Sequence, residues 1–77
     1  MDKHAKIVEI LSRLADRPVD PSFNESLFES GLIDSFSLPV LVLELENTFA
    51  IRVPDSDLSP RKFDTIARIQ TYVESRC

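Results

Sequence analysis

One side chain in the sequence is well placed for covalent chemistry: the hydroxyl of Ser35, which adjoins the carboxylate of Asp34. Gly31, the only glycine of the chain, lies four residues before this serine, and a largely apolar segment follows the serine. A serine at the start of a helix lies beside unpaired backbone N–H groups and the positive end of the helix dipole, which favours a phosphate ester. Serine is also a common helix cap, so the residues alone leave both interpretations open.

Other side chains give weaker indications of chemistry. His4 is the only histidine, and we interpret it as an exposed residue of the first helical turn. A catalytic triad could be drawn with Ser35, but Asp34 adjoins the serine and no glycine-rich oxyanion turn accompanies it. The acidic residues include no spaced pair or histidine cluster typical of metal sites. We therefore expect neither autonomous catalysis nor a bound metal.

Composition narrows the possible function classes. Seventy-seven residues suit one small domain, and we assign residues 1–77 to it. Nine Lys and Arg against thirteen Asp and Glu leave a net charge of −4, which argues against a nucleic acid or an anionic membrane as the main partner. The only cysteine, Cys77, excludes an internal disulfide. Because no apolar stretch is long enough for a signal peptide or a bilayer span, we expect a soluble cytoplasmic protein without membrane insertion.

Hydrophobic spacing predicts an all-α fold, and a single glycine makes tight turns between strands improbable. We expect three main helices and one short helix, in chain order: residues 3–16 with Asp2 as the cap, about Ser35 to Phe49, a turn from Ser59–Pro60 to Phe63, and a last helix through about Glu74 with Asp64 as the cap. These elements would pack as a small four-helix bundle. The long connection over residues 17–33 must pack as well, because a free loop of that length is improbable in so small a domain.

The second predicted helix is apolar on two opposite faces. At about 100° per residue, its core stripe consists of Leu38, Leu41, Val42, Leu45 and Phe49. The opposite face carries Phe36, Val40, Leu43 and Asn47. An amphipathic surface helix needs only one apolar face, so we interpret the second as a docking surface, although a loop or a second copy could also cover it. Because Pro39 has no N–H group, we predict a loose first turn with Ser35 on a short exposed step.

Charge is distributed unevenly along the chain. Between Pro18 and Ile51 there are six acidic residues and no Lys or Arg, whereas all nine basic residues lie outside this window. An acidic unit of this kind favours a partner with a basic patch, mainly by raising the rate of encounter.

The segment Gly31–Phe36 reads Gly-Leu-Ile-Asp-Ser-Phe and resembles the phosphopantetheine attachment site of acyl carrier and peptidyl carrier proteins, whose signature is Gly-x-x-Asp-Ser followed by Leu or Phe. The resemblance extends over nearly the whole chain. It implies that a phosphopantetheinyl transferase, using magnesium, attaches a 4′-phosphopantetheine arm from coenzyme A to Ser35, and that Asp34 helps to position the transferase and its metal. The thiol of the arm would carry an acyl or aminoacyl group as a thioester, so the chain would be a carrier and not an enzyme.

The resemblance also implies a recognition surface on the second helix, which here consists of Phe36, Val40, Leu43, Glu44 and Asn47. The implied partners are the transferase, a ligase that loads the acyl or aminoacyl group, and a downstream acyltransferase or synthase. We expect the chain to act as a monomer.

Phe36 in place of leucine, and the Glu-Asn-Thr-Phe sequence that ends the second helix, are similar to stand-alone D-alanyl carrier proteins. Carriers of fatty acid, polyketide or nonribosomal peptide biosynthesis remain alternatives, and a non-catalytic acidic interaction module is a remote one. Cys77 could imitate the carrier thiol, but we interpret it as an incidental chain end.

Overall fold

Three α-helices form the framework of the protein, which a computed structural model describes over residues 2–76. They are α1 (Lys3–Ala15), α2 (Leu38–Phe49) and α3 (Ile66–Arg76). Short 3₁₀ turns lie between them, at Ser35–Ser37, Asp55–Asp57 and Pro60–Phe63. All regular structure over residues 2–76 is thus helical, which confirms the expected bundle of three main helices and a short one. Cys77 lies outside the described residues, and the single domain stays a prediction.

The ends of α1 follow from local hydrogen bonds. The Asp2 carboxylate accepts a hydrogen bond from the N–H group of His4 at 3.1 Å, so Asp2 caps the helix as expected. At the other end Asp16 adopts the left-handed conformation (φ 56°) and its N–H group donates to the carbonyl of Arg13. Asp tolerates this conformation better than most residues, and Pro18 follows.

Apolar side chains of every helix meet in one core, and α1 packs against both α2 and α3. The fully buried residues are Ile7, Leu27, Leu41, Leu45, Phe63, Ile69 and Val73. They include residues of all three helices, among them Leu41 and Leu45 of the core stripe predicted for the second helix. Burying each of them contributes roughly 1.5–3 kcal/mol to the free energy of unfolding relative to an exposed position.

The long connection between α1 and α2 packs as predicted. Val19, Leu27 and Ile33 are buried, and further apolar side chains of this segment lie half-buried against the core. Ser12 of α1 holds the start of the connection, because its hydroxyl accepts a hydrogen bond from the N–H group of Val19 at 3.0 Å. The start of the connection is therefore held in a defined conformation.

The predicted cap of α3 is wrong by one residue. Thr65 fills this role, because its hydroxyl accepts a hydrogen bond from the N–H group of Arg68 at 3.0 Å. Asp64 ends the preceding 3₁₀ turn in a helical conformation (φ −79°, ψ −25°), whereas a cap requires extended backbone. Its carboxylate instead accepts a hydrogen bond from the hydroxyl of Ser26, and its carbonyl accepts the N–H group of Leu27 at 2.6 Å. Asp64 thus joins α3 to the long connection.

Asp57, in a 3₁₀ turn that the sequence did not predict, holds that turn against α3. Its carboxylate accepts hydrogen bonds from Lys62 Nζ at 2.7 Å, the Tyr72 hydroxyl at 2.6 Å and the Arg76 guanidinium at 2.8 Å. The hydrogen bonds from Lys62 and Tyr72 lower the pKa of Asp57 to about 2.

None of the helices described over residues 2–76 has the length and apolarity needed to cross a membrane.

Candidate functional site

The loop before α2 presents Ser35 between two buried anchors. Ile33 lies two residues before the serine and Leu38 three residues after it, and their side chains are 5% and 6% exposed. Both anchors are buried in the core, so the residues between them are held near the surface: Asp34, Ser35 and Phe36 are exposed and Ser37 is half-buried. Ser35 is therefore displayed by packing on both sides of it, and it lies on the short exposed step that the sequence predicted.

Gly31 allows the chain to turn toward this step. Its N–H group donates to the carbonyl of Phe28 at 3.2 Å, and that of Ile33 donates to the carbonyl of Leu27 at 3.1 Å. Gly31 has φ +83°, in the left-handed region that favours glycine. An added side chain would meet no atom within 4 Å, so the requirement for glycine here is conformational and not steric.

The hydroxyl of Ser35 is exposed and forms no hydrogen bond to any part of the chain that the structure describes. The neighbouring carboxylate is ordered instead. Asp34 Oδ1 accepts two hydrogen bonds from Ser37, from its N–H group at 3.0 Å and from its hydroxyl at 3.1 Å. Ser37 thus orients the Asp34 carboxylate beside a free hydroxyl. Sequence reasoning missed Ser37, because the capping signature calls for Glu or Gln three residues after the cap.

Pro39 explains the 3₁₀ turn that carries Ser35. In an α-helix the Ser35 carbonyl would accept a hydrogen bond from residue 39, but proline has no N–H group to donate. The N–H group of Leu38 donates to this carbonyl instead, which is the 3₁₀ pattern. Regular α-helix begins at Leu38, so Pro39 falls in its first turn, where helical N–H groups have no helical acceptor. The predicted loose first turn is present.

The outer face of α2 is exposed as its spacing predicted. Phe36, Val40 and Leu43 are 88%, 47% and 56% exposed, and Asn47 is exposed farther along the same face. Four residues of the predicted core stripe of this helix are buried, with Leu41 at 0%, and the fifth, Phe49, is half-buried against the core. We call Phe36, Val40 and Leu43 the apolar stripe. It begins beside Ser35 and extends along α2.

Glu44 lies at the edge of this face and differs from its neighbours. Its carboxylate forms an ion pair with the guanidinium of Arg13 at 3.0 Å, and it is only partly exposed. The pair connects α1 to α2 at a solvent-accessible position, where such pairs contribute about 0–1 kcal/mol. One residue of the expected recognition surface is therefore already engaged within the chain.

The structure does not bring His4 to Ser35. His4 lies in the first turn of α1 and lines a groove with residues of the long connection and of α3, among them Phe23 and Gln70. No histidine is thus placed to activate the serine as a nucleophile. Among residues 2–76 there is no group of three or more potential metal-ligating side chains.

Comparison with known proteins identifies relatives that are similar in sequence over most of this chain. A family model described as a phosphopantetheine attachment site matches residues 5–73. The D-alanyl carrier proteins of Streptococcus gordonii and Streptococcus sanguinis are each 38% identical over 69 residues, which cover 90% of this chain and 87% of theirs. That of Streptococcus pyogenes is 35% identical over 68 residues, or 88% of this chain and 86% of its own.

Proposed function

We propose, from the premise that this chain belongs to the phosphopantetheine attachment family, that the Ser35 hydroxyl is the point of attachment of its 4′-phosphopantetheine arm. Membership in this family means that the chain is a carrier with a covalent 4′-phosphopantetheine group, and a substrate of a phosphopantetheinyl transferase rather than an enzyme. When attached, the arm supplies a thiol that holds the cargo as a thioester.

The observation that carries the assignment to Ser35 is the state of its hydroxyl. A serine that accepts a phosphodiester must reach the active site of another enzyme and must lose its proton there. The exposed Ser35 hydroxyl meets the first requirement, because no described residue covers or binds it. Ser12 and Ser26, by contrast, use their hydroxyls in hydrogen bonds that hold the fold together.

Asp34 supports the same assignment. Ser37 holds only one of its carboxylate oxygens, so the other has no hydrogen-bond partner among residues 2–76, in the residue that adjoins Ser35. A carboxylate oxygen of this kind suits a magnesium ion that the transferase brings with it. Asp34 would then align the transferase and its metal with the serine, and contribute no chemistry of its own.

The test is the intact mass of the chain after incubation with coenzyme A, magnesium and a broad-specificity phosphopantetheinyl transferase. We expect the wild type to gain the mass of one phosphopantetheine and Ser35→Ala to gain nothing while keeping its helical circular dichroism. Ser56→Ala is the matched control, because Ser56 is also exposed and lies in a 3₁₀ turn. A modified Ser35→Ala, or an unmodified wild type, would refute the assignment.

We further propose that the cargo is aminoacyl, with a small residue such as D-alanine as the first candidate. The support is the 38% identity over 90% of the chain to proteins named D-alanyl carriers. The exposed apolar stripe indicates which kind of partner surface would fit this carrier. A ligase and a downstream acyltransferase with apolar contact surfaces would suit this stripe.

Trapping the loaded form tests the cargo. The holo protein is recovered from its native cells under acid, which preserves thioesters, and weighed intact before and after treatment with hydroxylamine. We expect a hydroxylamine-sensitive mass gain equal to one amino acid residue, and chiral chromatography of the amino acid recovered by hydrolysis of the released hydroxamate identifies the enantiomer. A fatty acyl or polyketide mass on the arm would overturn the aminoacyl proposal and leave the attachment to Ser35 standing.

A further inference from the structure

A groove on α3 collects positive charge in a protein that is acidic overall. The groove lies between the last 3₁₀ turn and α3, has a volume of about 440 Å³, and is lined among others by Arg61, Lys62, Ala67, Arg68, Thr71 and Tyr72. It is built from different elements than the Ser35 step, which belongs to the start of α2. Neither the attachment reaction nor the apolar stripe uses it.

The cations around this groove fall into two pairs. Lys62 and Arg76 both bind the Asp57 carboxylate, at 2.7 and 2.8 Å, so their charge is partly neutralised within the chain. Arg61 and Arg68 are exposed and form no ion pair within residues 2–76. Two guanidinium groups are therefore left to attract an anion from outside.

These two arginines are held close to each other. The Arg68 guanidinium donates a hydrogen bond to the backbone carbonyl of Arg61 at 2.8 Å, which ties the α3 side chain to the 3₁₀ turn. Because that acceptor is a neutral carbonyl, the charge of Arg68 is kept. A guanidinium presents five N–H donors in a planar fork, so further donors remain for a carboxylate.

The groove is also lined by less polar side chains, which we call its floor, and we call the arginines around them its rim. The floor includes the methyl group of Ala67, the side chain of Thr71 and part of the Tyr72 ring, which packs on Phe63 with ring centroids 5.0 Å apart. An apolar side chain of a ligand would find contact between the two arginines. Free phosphate or a polyglutamate chain would use the rim alone.

We infer that this groove binds an acidic segment of a partner protein, which pairs carboxylates with Arg61 and Arg68 and places one apolar side chain on the Ala67–Tyr72 floor. Charge complementarity with the two exposed arginines favours such a segment. The most exposed large apolar side chains, Phe36, Val40 and Leu43, belong to α2 and the 3₁₀ turn before it, so a membrane would find no such anchor in the groove. A carrier bound this way would stay near its partner while the Ser35 end docks elsewhere.

The test uses the unmodified full chain and so does not depend on attachment at Ser35. The probe is a blocked peptide of four glutamates flanking one leucine, titrated into the labelled protein at low salt and followed by backbone amide chemical shifts. We expect shifts confined to residues 60–76. The peptide with glycine in place of leucine should bind at least threefold more weakly, because it loses contact with the floor.

The double variant Arg61→Glu/Arg68→Glu should lose at least tenfold in affinity. Arg17→Glu/Arg52→Glu is the matched control, because it changes the net charge equally at exposed arginines outside the groove. Circular dichroism checks that each variant folds. Arg61→Gln/Arg68→Gln removes the same two charges without reversing their sign and should also weaken binding. Equal losses in both double variants would reduce the effect to net charge and overturn the inference.

Two other occupants are tested in parallel. If sedimentation shows self-association that Arg61→Glu/Arg68→Glu abolishes, the ligand of the groove is the acidic half of a second copy, and the inference is wrong. The inference is also wrong if the wild type binds vesicles that contain anionic phospholipid more tightly than it binds the peptide, and if Arg61→Glu/Arg68→Glu abolishes that vesicle binding.

Discussion

At the scale of single residues, the site depends on which side chains are already bonded. The Ser35 hydroxyl has no partner among the described residues, while Ser37 uses both its N–H group and its hydroxyl to hold the Asp34 carboxylate. Glu44, which the resemblance assigns to the partner surface, forms an ion pair with Arg13 of α1. Residue type and spacing predicted Ser35 and Asp34. They could not predict Ser37 or Arg13 as neighbours, because those contacts depend on backbone conformation and helix packing.

Asp57 provides a prediction at this scale. Its pKa falls from 3.8 to about 2 in the folded chain, so the folded state binds protons less readily than the unfolded state. The stabilisation is fully present above about pH 4 and is lost as the pH falls toward 2. We expect the urea midpoint of the wild type to decrease over this window and that of Asp57→Asn to decrease less.

Asp55→Asn is the control for this prediction, because Asp55 lies in the same 3₁₀ turn and forms no ion pair within residues 2–76. It should keep the wild-type slope of stability against pH. Equal slopes for the wild type and Asp57→Asn would contradict the prediction.

At the scale of elements, the junction before α2 decides how the serine is displayed. Pro39 removes one helical donor, the Ser35 carbonyl pairs with Leu38, and the α-helix starts three residues after Ser35. Sequence reasoning predicted this loose turn, because a missing N–H group has the same consequence in any fold. It placed the cap of α3 at Asp64 instead of Thr65, because capping depends on extended backbone and not on residue type alone.

Pro39→Ala tests the origin of the turn. The alanine N–H group can donate to the Ser35 carbonyl, so we expect α-helical Cα chemical shifts to extend back toward Ser35. The free energy of unfolding should change by less than about 1 kcal/mol, since the first turn tolerates both residues. Chemical shifts for residues 35–37 that match the wild type would show that Pro39 is not the cause.

At the scale of the whole molecule, the apolar residues of α2 and the turn before it form a buried set and an exposed set. Leu41 and Leu45 are fully buried and hold the bundle together, whereas the apolar stripe is exposed beside Ser35. The acidic window over residues 18–51 surrounds the serine, and the groove with Arg61 and Arg68 belongs to other elements. One small bundle thus presents two surfaces of different chemistry.

Val40→Asp/Leu43→Asp tests the apolar stripe as a docking surface. Both side chains are exposed, so we expect a wild-type circular dichroism spectrum and a melting temperature within a few degrees. The kcat/KM of the transferase reaction should fall about tenfold or more, the loss of roughly 1.4 kcal/mol of binding that removal of one central apolar contact can cause. Leu41→Asp is the contrasting control and should unfold the chain, because it places a charge in the core. Unfolding of the double variant would instead assign the stripe to the core.

The sequence by itself determined the helical periodicity, the two-faced second helix, the glycine turn and the serine–aspartate pair, because each depends on local geometry or on spacing along one element. Only the tertiary structure decided which hydroxyls are free, that Glu44 pairs with Arg13, that Asp57 joins a 3₁₀ turn to α3, and that Arg61 and Arg68 keep their charge. These features are contacts between residues distant in the chain, and such contacts exist only once the helices have packed.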